Sequence, residues 1–150
     1  MDGTTTCGTY DGKDVVDFGS MGATGPFAYT CNDKSGGRFI ESGIRFNTDK
    51  GQIFVSNPGS GCQAKHDLES IMTHERGHSY GLNHVSGDTH ANLTMYPNVF
   101  KCDTRWRSLG NGDMRGLEVT TRSQAHGRRS LRILGRAGPG MGVADGAARG

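Results

Sequence analysis

Four runs in the first half of the chain are rich in residues that favour β-strands, and one of them alternates between apolar and polar positions, the pattern of a half-buried strand. The runs cover residues 15–18, 26–31, 38–47 and 52–55. The third run is the longest, and it places Ile40, Ile44 and Phe46 on one face. We expect these runs to be the strands of one sheet.

A turn-rich stretch at residues 57–61 separates the strands from a helical pattern. Asp67 can cap a helix that runs to about Tyr80, because its side chain can accept a bond from a free N–H group of the first turn. A second helix is expected at residues 111–119. Strands followed by helices indicate an α+β domain. Four residues of the first helix are expected to face the core: Leu68, Ile71, Met72 and Ser79.

The length of 150 residues suits one domain with a single core. No apolar run is long enough to cross a membrane, and the start of the chain lacks the pattern of a signal peptide. The net charge of +2 is unevenly distributed. Six Arg and one Asp give residues 120–150 a charge of +5, so residues 1–119 carry −3.

Residues 120–150 also contain seven Gly and five Ala and no aromatic residue. Such a composition favours disorder over binding of nucleic acid or membrane. We therefore expect a domain at residues 1–119 and a disordered tail at residues 120–150.

The four cysteines lie outside the histidine-rich part of the chain. An even number in a small domain predicts two disulfides, for which three pairings exist. We favour Cys7 with Cys31 and Cys62 with Cys102, and free thiols are the alternative.

The candidate chemistry is concentrated in one motif, which contains His74, Glu75, His78, Gly81 and His84. On a helix, residues four apart share a face, so His74 and His78 can hold one metal ion. Gly81 can adopt the left-handed conformation that ends a helix, which allows His84 to return to the same ion. Three nitrogen ligands leave a fourth position open for water, as in catalytic zinc sites.

Glu75 lies next to the first ligand and is the candidate to take a proton from that water. Zinc lowers the pKa of bound water from about 15.7 to about 7, so a neighbouring carboxylate can complete the nucleophile at neutral pH. A short His-Glu-x-x-His string also occurs by chance on ordinary helices, but Gly81, His84 and Met95 at further fixed positions favour the metal site. The histidines outside this spacing are expected to be solvated or hydrogen bonded: His66, His90 and His126.

The motif and the Met95-Tyr96-Pro97 sequence after it resemble the metzincin peptidases, specifically the matrixin branch, which includes matrix metalloproteinases and simple bacterial secreted relatives. Residues 41–49 and 109–117 agree with this resemblance, which covers about residues 14–118. It implies a zincin-like α+β catalytic domain with a small twisted mixed sheet, an active-site helix and a C-terminal helix.

By this resemblance each motif residue has a role. One catalytic zinc is bound by His74, His78 and His84, while Glu75 is the general base and Met95 forms the turn beneath the metal. The implied activity is hydrolysis of internal bonds in a protein or peptide by a secreted monomer. No second zinc is expected, and calcium binding stays open.

Substrate-binding residues are also implied by the resemblance. Phe27, Ala28 and Tyr29 belong to an edge strand on which an extended peptide can be added. Ser70 lies one turn before His74 and is expected to line the pocket for the side chain after the cleaved bond. Tyr96 and Pro97 belong to the opposite wall, and a medium to large apolar side chain is expected there.

Two features depart from the family pattern. Arg76 occupies a position that is usually apolar and is expected to face the core, where a guanidinium is expensive to bury. Family members also have a first strand and a long helix before the matched region, so the resemblance implies an N-terminally truncated domain. The alternative to an active enzyme is therefore an impaired matrixin-like remnant that binds zinc or peptide without turnover.

Overall fold

The computed structural model describes residues 9–51, 54–57 and 61–134, and the side chains of these residues apart from those of Asp88 and residues 123–134. The main sheet has three strands, β1 (Val15–Gly19), β2 (Ala28–Ser35) and β3 (Arg38–Asn47). β3 lies in the middle, parallel to β1 and antiparallel to β2. The sheet is therefore mixed, and β2 forms one of its edges.

The expectation that all strands share one sheet is wrong. The fourth strand, β4 (Phe54–Val55), pairs in parallel with β5 (His66–Asp67) instead of joining β1 to β3. The two residues expected to begin β4, at positions 52 and 53, lie outside the described residues. This second sheet brings the chain directly to the start of the following helix.

The alternation in β3 is confirmed for Ile44 and Phe46, which are both buried, but not for Ile40, which is 44 % exposed. The pairing explains the difference. β2 pairs Asp33 with Glu41 and Lys34 with Phe39, so Ile40 is an extra residue on β3. Such a bulge interrupts the two-residue period, and a single strand's sequence does not reveal it.

The helix α1 (Leu68–Ser79) begins as expected at Asp67, whose carboxylate accepts a bond from the N–H of Ser70 at 3.0 Å. Arg107 donates to the same carboxylate from Nε at 2.9 Å and Nη2 at 2.8 Å. Asp67 is only 2 % exposed. Burial by itself raises the pKa of this carboxyl, but the hydrogen bonds from Arg107 and Ser70 outweigh it and hold the pKa below its usual value.

The apolar core lies between α1 and the main sheet. Its buried members are Ala28, Ile44, Phe46 and Ile71, and five partly buried side chains pack around them: Phe27, Phe54, Leu68, Met72 and Val99. Because β2 and β3 supply one wall of this core, α1 lies directly beneath the edge strand β2.

A disulfide joins Cys62 to Cys102, with a Cα–Cα distance of 5.8 Å, which confirms one of the two expected pairs. It ties the segment before α1 to the segment that follows Met95. Cys31 is also disulfide-bonded, and its expected partner Cys7 lies outside the described residues.

The second helix, α2 (Asn111–Leu134), begins where the sequence predicts but continues well past residue 119. The helix therefore includes residues 120–134, which were expected to belong to the tail. Residues 135–150 lie outside the described residues, so the expected tail there stays a prediction. None of the helices among the described residues is long and apolar enough to cross a membrane.

Replacing Asp67 by Ala should lower the free energy of unfolding by about 3 kcal/mol at neutral pH, near the lower end of the cost of breaking a buried ion pair. The low pKa of Asp67 makes this contribution pH-dependent. It is complete above the unfolded-state value of about 3.9 and is lost as the pH falls through the lower folded value. Urea unfolding should give a smaller difference in the free energy of unfolding between wild type and variant at pH 3 than at pH 7.

The matched control for that experiment is Glu69→Ala. Glu69 also pairs with Arg107, at 3.2 Å, but its side chain is 57 % exposed. An exposed pair of this kind contributes about 0–1 kcal/mol. Equal losses in the two variants would show that the Asp67 carboxylate does not hold the start of α1.

Candidate active site

The end of α1 sets the direction of the chain toward the third histidine. Gly81 has a φ of 90°, and its N–H donates to the carbonyl of His78 at 2.9 Å. The N–H of Leu82 donates to the carbonyl of Gly77 at 3.0 Å. These two bonds form a Schellman motif, so the expected helix end at Gly81 is confirmed. The chain then turns back and brings His84 beside the helix.

The three motif histidines converge on one point. The Nε2 atoms of His74 and His78 are 3.1 Å apart, and that of His84 lies 3.1 Å and 3.2 Å from them. His74 Nδ1 lies 2.7 Å from the carbonyl of Thr94, and His78 Nδ1 lies 2.8 Å from that of Leu82. Because a carbonyl oxygen only accepts, both rings carry their proton on Nδ1.

This arrangement fits a zinc ion. The Nε2 atoms of His74 and His78 face each other with lone pairs and no proton between them, which is unfavourable unless a cation binds both. Zinc–nitrogen bonds of about 2.0–2.1 Å in a tetrahedral site separate the nitrogens by roughly 3.3–3.4 Å, close to the distances found. Burial lowers the pKa of His74 and of His84, which keeps both rings neutral and able to bind metal.

The carbonyl that orients His74 is itself held in place. The N–H of Thr94 donates to Asp113 at 2.9 Å, and its hydroxyl donates to the carbonyl of Ser108 at 2.8 Å. Asp113 lies at the start of α2 and is buried. The first ligand is therefore connected to the second helix through the turn that contains Thr94. The histidine motif alone did not point to Thr94, although it precedes Met95.

Met95 is 1 % exposed, and its side chain lies against Gly77 of α1, between the first two histidine ligands in the sequence. A Cβ atom at Gly77 would overlap the sulfur of Met95. Gly77 is therefore required by the close approach of the methionine turn to the helix. The only sequence signal for this requirement is a glycine in the middle of a helix, where it is unfavourable.

Glu75 points into the cleft beside the histidines. A cavity of about 820 Å³ is lined by Glu75, His78 and His84 and by residues of β2. The hydroxyl of Thr30 lies 2.5 Å from Glu75 Oε2. Burial raises the pKa of the Glu75 carboxyl above its usual value, against the bond from Thr30 and the nearby imidazoles. Thr30 was not identified from the sequence.

The residues expected to bind substrate lie in three places: at the start of β2, within α1 and in the turn after Met95. Ala28 and Tyr29 begin the edge strand and line the cavity, whereas Phe27 precedes the strand and packs against the core. Ser70 is buried, and its hydroxyl donates to Asp67 at 2.7 Å. Tyr96 and Pro97 follow Met95, with the ring of Tyr96 stacked over Phe100 at 6.5 Å between centroids.

Arg76 is exposed, so the expectation that it faces the core is wrong. Its helical position turns it to the side opposite His74 and His78, where the guanidinium is accessible to water. His66 is buried and its ring is hydrogen bonded to the backbone of Phe100, as expected for a histidine outside the site, while its Nδ1 has no partner among the described residues. His90 is exposed and its Nδ1 lies 2.8 Å from the carbonyl of Ser86, as expected for a residue outside the site. The side chain of His126 lies outside the described residues.

A mixed sheet above a helix with two histidines and a glutamate, a glycine turn, a third histidine and a buried methionine turn together define a metallopeptidase of the metzincin class. The Matrixin family model matches residues 11–120, and the chain belongs to this family of zinc metallopeptidases, whose members are mostly extracellular. Searches of curated proteins and of solved structures each gave no match.

Replacing Gly77 by Ala should destabilise the protein even though Ala is the better helix former. Overpacking of a filled core costs roughly 1–3 kcal/mol, and the gain in helix propensity offsets up to about 1 kcal/mol of it. We expect a lower urea midpoint and weaker zinc binding by titration, because Met95 has to move away from the ligands. Gly61→Ala is the control, since a Cβ there meets no atom within 4 Å. A Gly77→Ala variant as stable as wild type would disprove the close packing of Met95.

Proposed function

We propose that this protein is a zinc-dependent endopeptidase that hydrolyses internal peptide bonds. The observation that carries the proposal is the triangle of three Nε2 atoms, 3.1 to 3.2 Å on a side, with the buried carboxylate of Glu75 opening into the same cleft. The family supports a zinc metallopeptidase in general. The arrangement of Glu75 beside the histidines supports a hydrolytic role for this chain.

His74, His78 and His84 are the proposed ligands. A zinc ion bound there supplies a Lewis acid that polarises the carbonyl of the substrate and makes water more acidic. Glu75 is the proposed general base and takes a proton from the attacking water. Its raised pKa favours this role, since a base works best when its pKa lies nearer the working pH. The protonated Glu75 then donates to the leaving amine as the carbon–nitrogen bond breaks.

The proposed substrate is an extended peptide that adds a strand to β2. An edge strand has backbone groups that a peptide can bond, and β2 is an edge of the main sheet. Ala28 and Tyr29 line the cleft, and Tyr29 is 52 % exposed. We therefore place the substrate backbone along these two residues, with Phe27 supporting the beginning of the strand from the core.

The proposed pocket for the side chain after the cleaved bond lies between α1 and the segment from Tyr96 to Trp106. Ser70 and the carbonyl of Asp103 approach to 3.4 Å, which supports a wall on this side of α1. Phe100 packs on Trp106 at 5.3 Å between centroids, so the wall is aromatic. An aromatic wall favours a medium to large apolar side chain, since burial contributes about 25 cal/mol per Å².

We propose that the protein acts as a secreted monomer on protein or peptide substrates. The mostly extracellular family and the disulfide between Cys62 and Cys102 support secretion. One argument for the alternative, an impaired remnant, was the expected burial of Arg76 in the core. That argument no longer holds, because Arg76 is exposed. The remnant remains the competing outcome of the experiment below.

Zinc content and casein cleavage of purified protein test the proposal. Wild type should hold one zinc per chain and lose activity with a chelator. Glu75→Gln should keep the zinc and lose activity by on the order of a hundredfold or more, since it removes a general base without removing a ligand.

His84→Ala is the matched variant in the same motif. It should lose zinc and activity together, because it removes one of three ligands. Zinc without cleavage in wild type would favour the remnant. Full activity in Glu75→Gln would remove Glu75 from the mechanism, and one zinc retained in His84→Ala would show that the third ligand is assigned wrongly.

A further inference from the structure

Thr30 of β2 reaches the carboxylate of Glu75 across 45 residues of sequence. Its Oγ1 lies 2.5 Å from Glu75 Oε2 and 3.0 Å from the main-chain oxygen of Glu75. Glu75 is 6 % exposed, so water competes little for this bond. Within the described residues, no other hydrogen bond reaches the Glu75 carboxylate.

A hydroxyl has one proton and donates one bond at a time. The shorter contact and the charge of the carboxylate both favour Oε2 as the acceptor, because bonds to ionised acceptors are shorter and stronger. Asn32, two residues along β2, has a different role. Its Nδ2 donates to the main-chain oxygen of His78 at 2.9 Å. β2 therefore holds the backbone of α1 through Asn32 and the side chain of Glu75 through Thr30.

We propose that Thr30 is a positioning residue that fixes Glu75 Oε2 and thereby presents Oε1 to the attacking water. This inference rests on the proposed function of Glu75. The proton passes from water to Oε1 and then to the leaving amine nitrogen, while the proton of Thr30 stays on its Oγ1. Because Thr30 lies on the strand along which the substrate is proposed to bind, β2 sets both the path of the substrate and the orientation of the base.

Kinetics of Thr30→Val and Thr30→Ser test the proposal. Val has the same shape without the hydroxyl and suits a strand, whereas Ser keeps the hydroxyl. We expect Val to lower kcat by about ten- to a hundredfold, the scale of a small misplacement of a reacting group. KM and zinc content should stay unchanged, and Ser should restore most of the activity.

Thr121→Val is the matched control. The hydroxyl of Thr121 donates to main-chain carbonyls within α2, at the exposed surface. Its loss should leave kcat unchanged. An equal loss of kcat in Thr30→Val and Thr121→Val would indicate a general effect of removing a hydroxyl and would overturn the proposal.

A second measurement does not depend on activity. Thr30→Val should lower the urea midpoint in the wild-type background and lower it less in a Glu75→Ala background, where the carboxylate is absent and only the main-chain oxygen of residue 75 remains as an acceptor. If the shift is the same in both backgrounds, Thr30 bonds the main-chain oxygen of Glu75 and the positioning role is wrong.

The outcomes separate this inference from the proposed function. A zinc-loaded wild type that cleaves nothing would overturn the proposed function. An active wild type whose Thr30→Val variant keeps full kcat would overturn the positioning role alone. A loss of kcat with an unchanged KM, restored by Ser and accompanied by coupling to Glu75 in the urea experiment, would support it.

Discussion

The site depends on the place where α1 stops. If the helix continued past Ser79, His84 would leave the face shared by His74 and His78. The turn at Gly81 ends the helix before His84 and also orients His78. Leu82, whose N–H closes the Schellman motif at 3.0 Å, also offers its carbonyl to the Nδ1 of His78 at 2.8 Å. One turn therefore ends the helix, orients the second ligand and redirects the chain to the third.

The apolar core between this helix and the sheet is small, and polar contacts with three other parts of the chain also hold the helix. Asp67 and Arg107 fix its beginning, where the carboxylate also meets the positive end of the helix dipole. Thr30 on β2 is hydrogen bonded to Glu75 in the middle of the helix. Asp113 of α2 accepts a bond from the N–H of Thr94 in the methionine turn. Each of these groups is bonded to a partner far away in the sequence. A local turn thus sets the relative position of the ligands, whereas long-range contacts hold the helix and the turn after it in place.

The division between local and long-range contacts explains which features the sequence could predict. Asp67, Gly81 and the histidine spacing follow local rules, since a helix cap, a helix end and a shared helix face need only neighbouring residues. The contact of Thr30 with Glu75 depends on where β2 crosses α1, and no local pattern contains that information. Ile40 shows the same limit, because its exposure results from the register between two strands.

Arg76 shows how a family pattern can mislead when it is applied to one position. A guanidinium in the core would oppose an intact site, but this side chain is exposed and its charged group can stay hydrated. The start of the matched region is also anchored, because the buried carboxylate of Glu41 accepts bonds from the N–H groups of Asp11, Gly12 and Lys13 at 2.6 to 3.1 Å. Since Glu41 lies on β3, which pairs with the edge strand above the cleft, the first matched residues are connected to the cleft through the sheet. The three histidines and Glu75 therefore lie on the part of the chain that matches the family and that the sheet anchors at its start.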